Sequence, residues 1–151
     1  NLNLSSIFDL KQHRSNIFLN TSIIASNYNE SDQIGIQGNE VEFVPKINFK
    51  SGYVLGFKRY SFRTQLTYIS SQFTDATNAI ESNLSGVIGQ IPEYTVLDIS
   101  GSYNWKRIRV EYGINNVLDK SYFTRRATGY PGPGIIPSPR RNFYLTLELN
   151  F

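Results

Sequence analysis

The chain has 151 residues, a formal net charge of +3 and no cysteine, which bounds it to one domain and excludes both a disulfide framework and thiolate chemistry. Its 15 Lys and Arg are scattered without a basic block, so the charge carries no nucleic-acid footprint. Aromatics reach 14%, a bias that favours strands, and no apolar run approaches the ~18 residues of a transmembrane helix.

Taken in chain order, the elements are strands. Residues 3–10 form the first. Residues 15–28 form the second, with Ile17, Leu19, Thr21 and Ile23 on one face. In the third, 45–57, Ile47, Phe49, Tyr53, Leu55 and Phe57 oppose Lys46, Asn48 and Lys50. In the fourth, 60–72, Phe62, Leu66 and Tyr68 oppose Arg63, Gln65 and Thr67. The fifth, 94–105, sets Thr95, Leu97, Ile99, Tyr103 and Trp105 against Asp98, Ser100 and Ser102. The sixth, 107–117, sets Ile108, Val110, Tyr112 and Ile114 against Arg109, Glu111, Gly113 and Asn115. The last, 140–151, alternates Phe143, Leu145, Leu147, Leu149 and Phe151 with Tyr144, Thr146, Glu148 and Asn150. A period of 2 places successive side chains on opposite faces of a strand, and helical periodicity is absent over any useful length.

The connections alternate between short and long. Short ones lie at Lys11–Arg14, Lys58–Arg59 and Lys106–Arg107; long ones span 29–44, 73–93 and 118–139. Bacterial outer-membrane barrels have short periplasmic turns and longer outside loops. With Phe151 at the periplasmic end, every short turn falls on that side and every long loop outside. Tyr60, Tyr68, Tyr94, Trp105, Phe143 and Phe151 sit near strand ends, where amphipathic rings collect at membrane interfaces. The last strand rises about 27 Å, which at a tilt of about 40° approaches the ~25 Å apolar band of such barrels. The fold class expected is therefore all-β: an antiparallel transmembrane β-barrel segment of about seven strands. A soluble β-domain with core aromatics is the competing reading.

The stretch YGINNVLDKSYF resembles the closing segment of TonB-dependent outer-membrane receptors, through Gly113, Asn115, Asn116, Val117, Leu118, Asp119, Lys120 and Tyr122. A loop rich in Pro and Gly from Pro131 to Pro139 follows, then Arg140 or Arg141, the alternation Phe143 to Leu149, and Phe151. FVPKINFKSGYVLGF and the run containing Phe73, Asp75, Asn78, Gly86, Gly89, Ile91 and Pro92 resemble the ferric-citrate branch of that family. The resemblance covers 43–151 well and 1–42 loosely. It implies residence in the bacterial outer membrane and import of a ferric chelate, a siderophore or iron citrate, with energy supplied through a TonB-type partner. Complete receptors of this kind are plugged barrels of about 22 strands. Seven strands leave two open edges, which lipid does not tolerate. The whole chain, 1–151, is therefore expected to be the C-terminal portion of such a barrel, without plug or TonB-contacting segment. A small self-contained outer-membrane barrel with a structural or adhesion role is the alternative.

No catalytic centre, cofactor site or metal site is expected. The one histidine, His13, lies in a short turn, so no Ser/His/Asp set can be assembled. Asp75, Asn78, Glu81 and Asp119 sit in polar loops where turn chemistry accounts for them. GYPGPG is no Walker loop, because no Lys-Ser/Thr follows. Arg125, Arg126 and Tyr130, with Tyr122 and Phe123 nearby, are the candidate contacts to an anionic chelate, since guanidinium groups grip carboxylates bidentately; pairing between loops or with lipopolysaccharide competes with that role. Phe143, Leu145, Leu147, Leu149 and Phe151 resemble the terminal signal read by the barrel-assembly machinery. Arg63, Gln65, Asp98, Arg109, Glu111 and Glu148 would line the lumen. The partners implied are the TonB-type protein, the ferric chelate, the assembly machinery and outer-membrane lipid, with no nucleic acid.

Overall fold

A computed structural model describes residues 1–10, 13–129 and 132–150. Phe151 and Tyr130 lie outside the described residues. The strands are β1 (Leu2–Leu10), β2 (His13–Ile23), β3 (Ile47–Phe57), β4 (Tyr60–Ile69), β5 (Tyr94–Trp105), β6 (Ile108–Asn115), β7 (Phe123–Ala127), β8 (Gly134–Pro137) and β9 (Asn142–Leu149). Seven of them form one antiparallel sheet in the order β1-β2-β3-β4-β5-β6-β9, and β7 and β8 pair with each other. The sheet is not closed: β1 and β9 are its edges.

The register decides what the two faces are. Row by row it aligns Ile17 with Tyr53, Tyr53 with Thr64, Thr64 with Ile99, Ile99 with Ile114, and Ile114 with Phe143. Every apolar series read from the sequence thus falls on one continuous face, and a slip of one residue in any pair would break it. That face is left open. Phe143, Leu145 and Leu147 are 71%, 68% and 66% exposed, and the buried hydrophobics among the described residues are just Ile36, Ile69, Ile91 and Val96. A water-soluble domain of this size does not leave so much apolar surface uncovered; a sheet solvated by lipid does. The opposite face is polar. Arg109 pairs with Glu111 at 2.5 Å, and the Ser61 and Ser102 hydroxyls meet across strands at 2.7 Å.

Three strand glycines lie directly opposite an aromatic residue on the neighbouring strand: Gly52 opposite Phe18, Gly101 opposite Tyr112 and Gly113 opposite Tyr144. In each pair the ring lies across the glycine, where a methyl group would stand against it. The aromatic shields backbone that the glycine leaves bare, and the ladder stays regular.

Several details differ from the sequence expectation. β2 ends at Ile23 rather than 28, and β4 at Ile69 rather than 72. Beyond these ends the ladders continue as isolated bridges, Asn27 with Glu40 and Gln72 with Ile91. The β2–β3 ladder loses its register there, since Ile23 faces Ile47 but Asn27 faces Glu40, whereas Gln72 and Ile91 keep the β4–β5 register beyond the strand ends. β9 starts at Asn142 rather than 140, because Arg140 and Arg141 are engaged elsewhere. The loop 118–139 contains the β7–β8 hairpin, whose register shifts between Phe123 and Arg126; strands this short and irregular carry no period-2 signal. Of the interface aromatics, Tyr60, Tyr68, Trp105 and Phe143 lie on the apolar face. Tyr94 lies on the other, opposite Ile69, and stacks on Tyr122 at 4.6 Å.

Candidate functional site

Antiparallel order puts the connections 24–46, 70–93 and 116–141 together at one end of the sheet. They are tied to one another by polar contacts. Asn78, held in the left-handed region at φ 55°, bridges the first and second loops. Its amide donates to Glu40 O at 2.9 Å and its oxygen accepts from Glu40 N–H at 2.7 Å. Asn39 donates to Ala76 O at 2.9 Å, and Phe43 N–H to Phe73 O at 2.8 Å. Within the second loop, Thr74 and Gly89 exchange bonds of 2.9 and 3.0 Å.

Arg126 links the second loop to the third. It is 9% exposed, donates from Nη1 to Gly86 O at 2.8 Å and from Nη2 to Gln90 O at 3.0 Å, and lies 5.2 Å from the Phe123 ring centroid. Gly89, at φ 134°, leaves the room that Nη2 needs. Burial pushes the guanidinium below its ordinary pKa. Its Nε is buried without a hydrogen-bond partner among the described residues, as is Asp75 Oδ1. Asp75 Oδ2 accepts from Thr77 N–H at 2.9 Å, a local turn bond. In the first loop Tyr28 donates to Glu42 at 2.5 Å, which raises the phenol pKa.

The third loop is closed at its base by the residues of the family-like motif. Asn116 is 2% exposed and sits at φ 52°. Its side chain donates to Lys120 O at 2.9 Å and Pro139 O at 3.3 Å and accepts from Lys120 N–H at 2.9 Å. Its backbone N–H donates to Asp98 on the inner face of β5 at 2.9 Å. Asp119 then receives Arg140 bidentately, at 2.9 and 2.6 Å, together with Arg141 N–H at 3.1 Å. The Arg140 guanidinium holds the Asp119 carboxyl down at about 2, from an ordinary 3.8, and Arg140 itself rises. The motif is thus a clasp that joins the end of β6 to the start of β9. Sequence reasoning takes Asp119 for turn chemistry and gives Asn116 and Arg140 no partner, although Asn116 bonds Lys120 four residues on; the contacts to Pro139 and between Asp119 and Arg140 span more than 20 residues.

The expected ligand contacts separate. Arg125 is exposed and Arg126 buried. An anion reaching Arg126 would have to displace the carbonyls of Gly86 and Gln90. Tyr130 lies outside the described residues. Phe143, Leu145, Leu147 and Leu149 stand in a row on the apolar face of the edge strand β9. Arg63, Gln65, Asp98, Arg109, Glu111 and Glu148 all lie on the polar face. His13 is the first residue of β2 rather than a turn residue, and stacks on Phe57 at 4.3 Å. Among the described residues no group of three acidic or histidine side chains could hold a metal ion.

The geometry has counterparts. The structure aligns with the ferric citrate transporter FecA in its unliganded form at a TM-score of 0.70 and 18% identity, covering 99% of this chain and 30% of that one. It aligns with the ferric yersiniabactin uptake receptor FyuA from Yersinia pestis at 0.73 and 18%, covering 99% and 23%. With the copper transporter OprC the values are 0.66 and 17%, covering 99% and 22%. The chain thus spans less than a third of the length of these solved proteins, whose likeness is one of fold. The sequence matches the family described as TonB dependent receptor-like, beta-barrel, over residues 2–117. That span reaches further toward the N-terminus than the motif resemblance and stops inside the closing signature. Matched over most of its length and folded as a sheet of barrel-wall type, the chain belongs to the TonB-dependent receptor β-barrel family of the bacterial outer membrane.

Proposed function

We propose that this chain is the C-terminal part of the barrel of a TonB-dependent receptor that imports a ferric chelate, and that it performs no chemistry of its own. The observation that carries the reading is the seven-stranded sheet, apolar on one face, polar on the other, with ordered loops at one end and two unpaired edges. Unpaired edges in lipid call for further strands, and the matched receptors are three to five times longer. This weighs against a small self-contained barrel. Ferric chelates are named for FecA and FyuA, and the same cargo class is inferred here. In this reading the polar face meets a plug, energy comes through a TonB-type partner bound elsewhere, and the β9 row Phe143, Leu145, Leu147 and Leu149, followed in the sequence by Phe151, is what the assembly machinery reads. Arg125 is the candidate chelate contact, with Arg126 holding the loop that presents it.

The test is uptake of radiolabelled iron by cells whose only receptor is the full-length protein, supplied as ferric citrate or as other ferric chelates. Energy-dependent uptake of one chelate is expected. Arg125→Gln should weaken its binding about tenfold, the range of one charge-assisted hydrogen bond. No uptake of any ferric chelate would refute the reading.

A further inference from the structure

The net charge is unevenly placed. At the short-turn end stand Arg14, Lys58, Arg59, Lys106 and Arg107 against Asp9, with Arg109 facing Glu148 at the same depth and Lys11 in the same connection of the sequence. The long-loop end holds eight acids against six cations. The positive balance of the chain therefore sits on the periplasmic rim.

Three observations show what these cations face. Lys58 and Lys106 occupy matching positions in two-residue turns, both in the left-handed region, at φ 51° and 53°. Gly, Asn or Asp would suit such positions better, so Lys is not there for its backbone. Both ammonium groups fold back over rings of the apolar, lipid-facing side: Lys58 Nζ lies 5.2 Å from the Phe57 centroid and Lys106 Nζ 5.7 Å from that of Trp105. Neither points into the lumen. Finally, none of Arg14, Lys58, Arg59, Lys106 and Arg107 is paired with a carboxylate among the described residues. Beside Lys58 an open groove of ≈ 480 Å³ is bounded by Asp9, His13, Arg14, Phe57 and Tyr60.

We propose that this rim is a binding surface for anionic phospholipid headgroups of the periplasmic leaflet, with the turn cations taking the phosphate and the Phe57, Tyr60, Tyr103 and Trp105 rings sitting at the headgroup boundary. Long cationic side chains that lay their stems on apolar surface and hold the charge at headgroup depth are suited to this task. Tyr60 and Tyr103 stack at 4.6 Å between the two basic turns and make the apolar floor continuous. Adjacent turns lie two strands apart, roughly 10 Å, so each can take its own headgroup. The inference rests on the outer-membrane placement of the sheet and is independent of which chelate is carried.

The experiment uses the full-length receptor, released from vesicles of phosphatidylethanolamine with one fifth phosphatidylglycerol, and counts retained lipids by native mass spectrometry. Wild type should retain phosphatidylglycerol in preference to phosphatidylethanolamine. The variant Lys58→Asn/Arg59→Gln/Lys106→Asn/Arg107→Gln, whose Asn residues keep the turn conformation, should lose that preference about tenfold or more, each cation near an anionic surface being worth roughly fivefold. Lys58→Arg/Lys106→Arg should retain it. Equal retention by wild type and the neutralised variant would overturn the proposal. So would full displacement by millimolar inorganic phosphate, which would mark a soluble-anion site. Loss of a co-purifying periplasmic protein with lipid retention unchanged would make the rim a protein-docking surface and overturn it as well.

Discussion

Replacing Asn116 tests whether the motif acts as a clasp. Asn116→Ala removes two donated bonds and one accepted bond, to Lys120 O, Pro139 O and from Lys120 N–H. At about 0.5–1.5 kcal/mol net each, with the 3.3 Å bond the weakest, the loss is about 2 kcal/mol. Alanine must also adopt the left-handed conformation at φ 52°, which costs about 1 kcal/mol more. Asn116→Gly loses the same bonds without that strain. The two variants should therefore destabilise the clasp by about 3 and about 2 kcal/mol, a difference of a few-fold in opening on a scale where 1.4 kcal/mol is tenfold. The assay is amide hydrogen exchange on the full-length receptor in detergent, read at Asp119 and Arg141, whose N–H groups bond within the clasp. Exchange there should accelerate by about two orders of magnitude in the alanine variant and less in the glycine variant, while the middle of β5 stays protected. Wild-type exchange in both variants, or acceleration spread evenly over the sheet, would refute the clasp.

Two further outcomes follow from the geometry. Asp119 has its carboxyl pKa depressed from 3.8 to about 2, so its contribution to holding β9 is complete above about pH 4 and fades as pH falls towards 2; protection of the Arg141 N–H relative to its intrinsic exchange rate should fall through that window and stay flat in Asp119→Asn. A methyl group at Gly52 would stand 2.7 Å from the Thr64 carbonyl oxygen as well as against the Phe18 ring, whereas one at Gly113 meets the Tyr144 side chain. Gly52→Ala should lower the yield of folded receptor by about 1–3 kcal/mol of stability and resist rescue by Phe18→Ala, whereas Tyr144→Ala should rescue Gly113→Ala; heat-modifiable gel mobility reads both, and rescue of Gly52→Ala would show that the backbone contact does not matter.

The barrel wall was legible because one physical rule governs it. Lipid on one side and a polar interior on the other force a period of 2, and that period aligns every apolar series from Ile17 to Leu149 on one face, with Phe18, Ile69, Tyr94, Val96 and Tyr144 among the exceptions on the other. Strand ends were less legible. Nothing local shows that Ile23 is the last regular residue of β2; that depends on the partner limb, some twenty residues on, losing register between Ile47 and Glu40. The β7–β8 hairpin was invisible for the opposite reason, since FTRRA and GIIP are too short and too irregular for alternation to appear. The loops show the limit most clearly. Asn39 carries no sequence signal, Asn78 reads as turn chemistry and Arg126 as a ligand contact, whereas the partners that the structure gives them lie 36 to 40 residues away.

Those long-range partners also narrow where binding chemistry can come from. Arg126 is held by two carbonyls, Asp119 and Arg140 hold each other, and Asn78 and Asn116 have their amides engaged. The most polar residues of the loops are therefore occupied in joining three loops into one body. A surface so tied presents a shape before any ligand arrives, which lowers the ordering cost of binding. It also leaves few charged groups to recognise an anion. Among the loop arginines, Arg125 is exposed, on a hairpin whose next residue is anchored to the neighbouring loop. On the proposed ferric-chelate reading, Arg125 alone would grip an anion weakly and further charge would come from loops outside this chain. This part of the wall would then set the shape of the mouth, and affinity would be assembled across it.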